Sequence, residues 1–304
     1  MANMLEDIPW ESLLRRIERG RCTPFLGAGV NYGILPLGSE IANNLAESYH
    51  YPLEDCLDLA RVTQFLAVTK DAMFPKEEVQ ILLEESLEQW EKTVTLSDFF
   101  KVPDQPLGVL ADLPIPIYMT TNYDDLMVKA LKTRQKDPKR ELCRWNAFVR
   151  NMPSLFDSTA SFDPTPANPV VFHLHGHNDV PESLVLTEDD YLDFLVNVSR
   201  QEDLLPLRIQ QALAGTSLLF IGYRLADWDF RVLFRGIVSS MEGSLRRESV
   251  AVQLPPGDMD SEQQKAQQDY LTRYFGNIDV KIYWGTARQF AAELRERWEI
   301  FTAK

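Results

Sequence analysis

Residues 22–31 read CTPFLGAGVN, and this stretch decides the fold class because an apolar run of strand length enters a glycine-rich turn. Similar runs recur along the chain between helical patterns. We predict further strands at 115–119, 168–176, 182–186, 216–223, 248–254 and 279–285. The strands are apolar almost throughout, which is typical of a parallel sheet covered on both faces. The sequence therefore predicts an α/β fold.

Helices are predicted to cover this sheet. A short amphipathic helix at 8–20 precedes the first strand. A second helix runs from 39 to about 59, with Ser39 as its N-cap, and residues 61–100 are helical in character. Together these segments predict a helical insertion or layer at about 40–105.

The remaining sequence contains no internal repeat and no flexible linker. Residues 133–168 are charged and then rich in Pro, Ser and Asp, so we predict a long surface excursion there. The whole chain, 1–304, is accordingly predicted to form one domain.

The charge balance argues against a polyanionic partner. Lys and Arg number 31 against 45 Asp and Glu, a formal net charge of -14. The densest basic stretch, 129–144, is predicted to be a solvated helix end and loop. We therefore expect no direct nucleic-acid binding.

Cysteine usage and hydropathy bear on the compartment. The three cysteines are Cys22, Cys56 and Cys143, too few and too widely spaced for a disulfide framework or a four-cysteine zinc site. No apolar run approaches the roughly 20 residues of a membrane span, and the acidic N-terminus does not resemble a secretory signal. The expected location is the cytoplasm, without membrane association.

Small or polar residues follow four of the predicted strands, where an open parallel sheet binds its ligands. They comprise 27–31, 120–124, 173–176, and Gly222 and Tyr223 with Asp227 nearby. The run Gly27-Ala28-Gly29 would let backbone approach a pyrophosphate. Its spacing departs from G-x-G-x-x-G, so a plain tight turn is the alternative.

Three of the four histidines fall within 171–180, VFHLHGHNDV. His175 precedes a glycine at a strand end, where a neutral imidazole can accept a proton near neutral pH. Strand alternation would place His173 on the same face but deeper, and His177 beyond the strand. A metal site would need all three to converge, with Asp179 as the nearest further ligand, and we predict none.

Asn122 has two interpretations. Its amide can hold a water or a ribose hydroxyl without competing for protons. Alternatively, it is the N-cap of the helix that is predicted to follow from 124 to 132. The sequence leaves both open.

Together, FLGAGVN, TTNYDD, HLHG and GTSLLFIGYRLADWDFR resemble the Sir2-like (sirtuin-type) NAD-binding family, most closely its bacterial antiphage-defence branch. The similarity runs from about residue 20 to 290. It implies a Rossmann-like (Sir2/DHS-like) sheet that binds NAD+ across the strand ends, with Asn122 and His175 as the catalytic residues. The NAD-binding residues that it implies are Gly27, Ala28, Gly29, Thr121, Asp124, Gly222, Tyr223 and Asp227.

One departure from the family limits the chemistry. Deacetylase sirtuins carry a four-cysteine zinc ribbon after the His-Gly motif, whereas no cysteine follows Cys143 here. The resemblance therefore implies hydrolysis of NAD+ to nicotinamide and ADP-ribose rather than deacylation. The alternatives are a module that binds NAD+ or ADP-ribose without turnover, a deacylase, or an ADP-ribosyltransferase.

The same resemblance implies an antiviral effector that kills the infected cell by depleting NAD+. Such an activity needs a switch, and we expect no fused sensor within these 304 residues. We expect control by a separate protein, for example a HerA-type ATPase or a short Argonaute. Homo-oligomerisation is also expected.

Overall fold

A parallel sheet of seven strands lies at the centre of the computed structural model, which describes residues 8–157, 162–200, 205–224, 247–256 and 261–303. The strands are β1 (Cys22–Leu26), β2 (Ile117–Thr120), β3 (Lys139–Leu142), β4 (Val170–His173), β5 (Ser217–Ile221), β6 (Ser249–Gln253) and β7 (Val280–Trp284). Their order is β3-β4-β2-β1-β5-β6-β7, and every described pair is parallel. This confirms the predicted α/β class and the Rossmann-like sheet.

The central strand β1 explains where a ligand can bind. Leu26, its last residue, pairs with Thr120 of β2 on one side and with Ile221 of β5 on the other. Strands β2, β3 and β4 follow β1 in the chain and lie on one side of it, and β5, β6 and β7 then lie on the other side. In such a sheet the connections diverge at this point and leave a crevice at the carboxyl ends of the strands.

Twelve α-helices lie in the described ranges. They are α1 (Trp10–Glu18), α2 (Gly38–Ser48), α3 (Leu59–Thr69), α4 (Phe74–Glu91), α5 (Leu96–Phe99), α6 (Pro106–Asp112), α7 (Leu126–Thr133), α8 (Ala147–Arg150), α9 (Glu188–Arg200), α10 (Leu207–Gly215), α11 (Ser261–Gly276) and α12 (Ala287–Thr302). Helices α2 to α6 connect β1 to β2, so the segment predicted to be helical at about 40–105 lies between these two strands. No helix in these ranges is long and apolar enough to cross a bilayer.

The helix predicted from 39 to about 59 is shorter than expected, and its predicted C-terminal end is wrong. Helix α2 begins at Gly38 and ends at Ser48, and a ten-residue connection leads to α3. Ser39 is not the N-cap, because Leu37 occupies that position and its N–H donates to Glu40 Oε2 at 2.7 Å. The Glu40 carboxylate thus accepts from the backbone N–H of the N-cap residue, as the third helical residue does in a capping box.

Two apolar layers cover the two faces of the sheet. Neighbouring residues of β1 point to opposite layers: Leu26 packs with Tyr118 in one layer, and Phe25 packs with Phe172 and Phe220 in the other. All five of these side chains are almost fully buried. Burial on both faces is the physical reason that the strands read as continuous apolar runs.

Two predicted segments need correction. The surface excursion expected at 133–168 contains the edge strand β3 and helix α8. Strand β3 is only partly buried, and its sequence is mostly charged, so it lacks the apolar run by which the other strands were predicted. The strand predicted at 182–186 is absent: Pro181–Ser183 forms a 3-10 helix, and the apolar residues after it are buried without joining the sheet.

Candidate functional site

A cleft of about 1830 Å³ opens at the carboxyl ends of the strands. Residues that follow β1, β2, β4, β5, β6 and β7 line it. Pockets for drug-sized ligands measure about 300–1,000 Å³, so this cleft can accept a larger molecule such as a dinucleotide. Of the strand-end residues that the sequence grouped together, those that line the cleft are 28–31, 121–124, His175, Gly222 and Tyr223. Gly27, Thr120, His173, Leu174 and Gly176 do not line it.

The glycine run after β1 packs directly against the end of β5. Gly27 N–H donates to Ile221 O at 2.9 Å, and Gly29 N–H donates to Gly222 O at 3.0 Å. A Cβ on Gly27 would lie 2.7 Å from Gly222 O. The two glycines therefore permit a close contact between two loops. Ala28 and Gly29 also line the cleft.

Asn122 is held by neighbouring strands. Its N–H donates to Thr120 Oγ1 at 2.9 Å, and its Nδ2 donates to Gly27 O at 3.2 Å. The N-cap alternative is wrong, because α7 begins at Leu126 and that residue's N–H donates to Asp124 Oδ1 at 2.9 Å. The Asn122 side chain instead lines the cleft.

Asp124 is a half-buried carboxyl group in the same cleft. Burial raises its pKa to about 6, despite the bond from Leu126 N–H that favours the charged form. Asn31 Nδ2 donates to Asp124 Oδ2 at 2.6 Å. The sequence placed Asn31 at the strand end but assigned it no role. Its only sequence signal was its position directly after the glycine run.

Thr121 and Tyr223 join the ends of β2 and β5 across β1. Tyr223 Oη donates to Leu26 O at 3.0 Å and lies 3.1 Å from Thr121 Oγ1. Both residues line the cleft, as does Gly222. Asp227, the remaining residue predicted to bind NAD+, lies outside the described residues.

His175 reaches the cleft from the β4 side. Its side chain is buried between two rings of α9: Tyr191, at 5.4 Å between centroids, and Phe194, at 5.1 Å. Burial lowers the pKa of His175 to about 3, so the imidazole is neutral at pH 7. Neither Tyr191 nor Phe194 was predicted at the site, because their approach to His175 depends on the packing of α9.

His173 and His177 have different neighbours from His175. Strand β4 ends at His173, so strict alternation does not extend to His175. The rings of His173 and His177 lie 4.9 Å apart between centroids, and His177 Nε2 lies 3.2 Å from Asp125 Oδ1. We call His173, His177, Asp125 and Arg140 the histidine cluster.

The histidine cluster resembles a metal site in its donor atoms. Asp125, His173 and His177 bring potential ligand atoms within 4.8 Å of one another. However, Arg140 Nη1 lies 2.9 Å from both ring nitrogens of His177 and 3.3 Å from Asp125 Oδ2. A guanidinium therefore already supplies positive charge here, and a metal cation would be repelled by it. The absence of a metal stays a prediction.

Charged residues surround the mouth of the cleft. Arg61 of α3 pairs with Asp55 and lies 3.5 Å from Glu188 at the start of α9. Gln64 Nε2 donates to Asp189 Oδ2 at 2.8 Å. These contacts join α3 to the start of α9, the helix whose Tyr191 and Phe194 pack against His175.

Residues 116–275 match the SIR2-like domain family, and this range is more than half of the chain. The chain belongs to the SIR2-like family. The match begins next to β2 and includes the segments that carry Asn122, His175 and Tyr223.

Several curated relatives share part of this SIR2-like chain. The NAD(+) hydrolase ThsA of Bacillus cereus (strain MSX-D12) is 27% identical over 161 residues, which are 53% of this chain and 29% of that protein. The NAD(+) hydrolase ThsA of Enterococcus faecium is 29% identical over 123 residues, 39% of this chain and 22% of that protein. The matched stretch thus spans less than a third of these relatives' length.

One solved structure, described as "Structural Basis for the Mechanism and Regulation of Sir2 Enzymes", aligns with 98% of this chain and 100% of its own. Its sequence identity is 12% and its TM-score is 0.42.

Proposed function

We propose that this SIR2-like chain hydrolyses NAD+ to nicotinamide and ADP-ribose. The observation that carries the proposal is the meeting of Asn122, Asp124 and His175 in one large cleft at the carboxyl ends of parallel strands. The relatives named NAD(+) hydrolase support the choice of substrate and reaction. Their similarity covers 39% to 53% of this chain.

In the proposed reaction, the bond between the ribose C1′ and the nicotinamide nitrogen breaks, and nicotinamide leaves with the bonding electrons. The ribose then carries positive charge, which a nearby carboxylate can stabilise. A water oxygen attacks C1′ and gives ADP-ribose. The proton released from that water passes to Asp124.

The proton-accepting role goes to Asp124 because its pKa of about 6 suits a general base near neutral pH. The neutral His175, with a pKa of about 3, is a weaker base and is assigned to orienting the ribose hydroxyls. Asn122 holds the attacking water or a ribose hydroxyl through its amide. We propose that the rest of NAD+ is bound by the remaining strand-end residues, which are Gly27, Ala28, Gly29, Thr121, Gly222, Tyr223 and Asp227.

The direct test is incubation of the purified chain with NAD+, followed by chromatography for nicotinamide and ADP-ribose. We expect activity in the wild type and its loss in His175→Ala and Asn122→Ala. His50→Asn is the matched control, since His50 is exposed, lies outside the cleft lining and has a positive φ of 54° that asparagine tolerates. The hypothesis fails if the wild type binds NAD+ but releases no nicotinamide, with or without the product of the neighbouring gene.

A non-catalytic sensor of NAD+ or ADP-ribose is the second candidate. The observation that favours it is the low basicity of His175, which is enclosed by two aromatic rings. Tight binding of ADP-ribose together with unchanged NAD+ after prolonged incubation would support this alternative.

The proposal extends to a cellular role as an antiphage effector in the cytoplasm. Unrestrained NAD+ hydrolysis would kill its host, so we propose control by a separate protein, such as a HerA-type ATPase or a short Argonaute, and assembly into a homo-oligomer. Phage challenge of cells that carry the chain with and without its neighbouring gene tests this role. A fall in cellular NAD+ only after infection, and only with both genes, is the expected result.

A further inference from the structure

We propose that His173 is a positioning residue for the NAD+ hydrolysis described above: its Nδ1–H holds the main-chain carbonyl of Asn122 and thereby fixes the Asn122 amide in the cleft. The inference rests on the proposed function. It gives a task to a buried histidine that does not itself line the cleft.

The contact is specific in its direction. His173 Nδ1 lies 3.1 Å from Asn122 O, and a carbonyl oxygen can only accept. The proton is therefore on Nδ1, and Nε2 carries the lone pair. His173 is fully buried, and burial lowers its pKa to about 3, so the ring stays neutral and keeps this single tautomer.

Three strands contribute to holding Asn122. Thr120 of β2 accepts its N–H, Gly27 after β1 accepts its Nδ2–H, and His173 of β4 donates to its carbonyl. The hydrogen bond from His173 Nδ1 holds the main-chain carbonyl of Asn122. Asn122 is half-buried, and a carbonyl that loses its donor there costs up to about 1–3 kcal/mol. Without the His173 donor, we therefore expect the peptide to reorient and to move the Asn122 side chain.

The rest of the histidine cluster keeps the His173 ring in place. Its Nε2 has no hydrogen-bond partner among the described residues, so Nδ1 makes the ring's polar attachment there. The edge-to-face contact with His177 restrains the ring, and Arg140 and Asp125 in turn hold His177. The cluster therefore acts on the cleft through His173 and Asn122.

The test compares two substitutions of equal shape. His173→Asn places an amide N–H where Nδ1 stands, whereas His173→Leu has the same branching without a donor. We expect kcat to fall about 10- to 100-fold in His173→Leu, with KM for NAD+ within about threefold, since small displacements of a catalytic group have effects of this size. His173→Asn should restore kcat to within about threefold of the wild type.

A second readout does not depend on activity. Hydrogen–deuterium exchange of residues 120–126 should accelerate in His173→Leu and stay at the wild-type rate in His173→Asn. If His173→Leu does not fold, His173→Gln replaces it, because its amide lies one bond farther along the side chain.

Three results would overturn the proposal. The first is a loss of kcat in the asparagine variant equal to that in the leucine variant, when both fold. The second is unchanged exchange of 120–126 in both variants. The third is one metal ion per chain in the wild type that is lost in both variants, which would make His173 a ligand. An inactive wild type with the expected exchange pattern would instead refute NAD+ hydrolysis and leave the positioning role supported.

Discussion

Asn122, Asp124 and His175 illustrate how residue type and environment divide the chemistry of the site. An amide, a carboxyl group and an imidazole reach the same cleft from β2 and β4. Burial acts on the two titratable groups in opposite directions, because it disfavours whichever form is charged. Burial raises the pKa of Asp124 to about 6 and lowers that of His175 to about 3. The carboxylate is therefore the stronger base of the two, whereas the unperturbed side chains have the opposite order.

The pKa of Asp124 predicts the acid side of the rate profile. Only the ionised carboxyl group can accept a proton, and its pKa is raised to about 6. We expect kcat for NAD+ hydrolysis to rise with pH up to about 6 and then to level off. Below that value the rate should fall about tenfold per pH unit. Asp124→Asn should remove most activity at every pH. An acid limb centred near the ordinary carboxyl pKa of about 4 in the wild type would exclude Asp124 as the base.

At the scale of elements, the site depends on how closely the loops after β1 and β5 approach each other. Gly222 has a φ of 85°, and a Cβ there would lie 2.4 Å from Val30 N. Tyr223 then crosses β1 to bond Leu26 and Thr121. A second contact between elements supports α9, where Lys76 of α4 reaches Leu184 O at 2.9 Å and Asp190 Oδ1 at 3.0 Å.

Gly222→Ala should destabilise the chain by about 2–4 kcal/mol, because it combines an unfavourable φ with a backbone clash. Urea unfolding measures the change. Gly215→Ala is the matched control, since a methyl group added to Gly215 at the end of α10 would meet no atom within 4 Å. That control should change stability by less than about 1 kcal/mol. Equal losses in both variants would refute the close-packing explanation.

The buried ion pair between Lys76 and Asp190 should anchor the start of α9. Lys76→Met leaves a buried carboxylate without its cation, and we expect a loss of about 3–5 kcal/mol. Because Tyr191 follows Asp190 and packs on His175, NAD+ hydrolysis should fall as well. Lys92→Met serves as the control, since both partners of its pair with Glu88 are 74% exposed. Thermal unfolding and the nicotinamide assay give the two readouts. Unchanged stability and unchanged NAD+ hydrolysis in Lys76→Met would contradict the anchoring role.

Across the whole chain, the charge balance disfavours a nucleic-acid partner. A formal net charge of -14 repels DNA and RNA, and the basic stretch at 129–144 is divided between α7 and β3 rather than gathered on one helix. Any nucleic-acid sensing in the proposed defence system would therefore be expected from the partner protein.

We accordingly expect no retardation of a short DNA duplex by the isolated chain at physiological salt. An electrophoretic mobility assay with micromolar protein checks this, with a basic DNA-binding protein as the positive control. Retardation that weakens steeply as salt rises would show an electrostatic DNA contact and would overturn the expectation.

The α/β class, the positions of six of the seven strands and the residues at their ends followed from the sequence, because buried parallel strands leave continuous apolar runs. The strand β3 did not, since an edge strand is less buried and its charged residues resemble a loop. The strand predicted at 182–186 was wrong because the apolar residues of this segment are buried without pairing in the sheet.

The sequence thus identified most of the residues that follow the strands at the ligand-binding edge, including Asn122, His175 and Tyr223. The pairing of these residues depends on the fold: Asn31 bonds Asp124, Tyr223 bonds Leu26, and His173 bonds Asn122. Those partners lie between 51 and 197 positions apart, so no local pattern encodes them. The pKa values of Asp124 and His175 likewise depend on burial by distant elements, which no local pattern specifies.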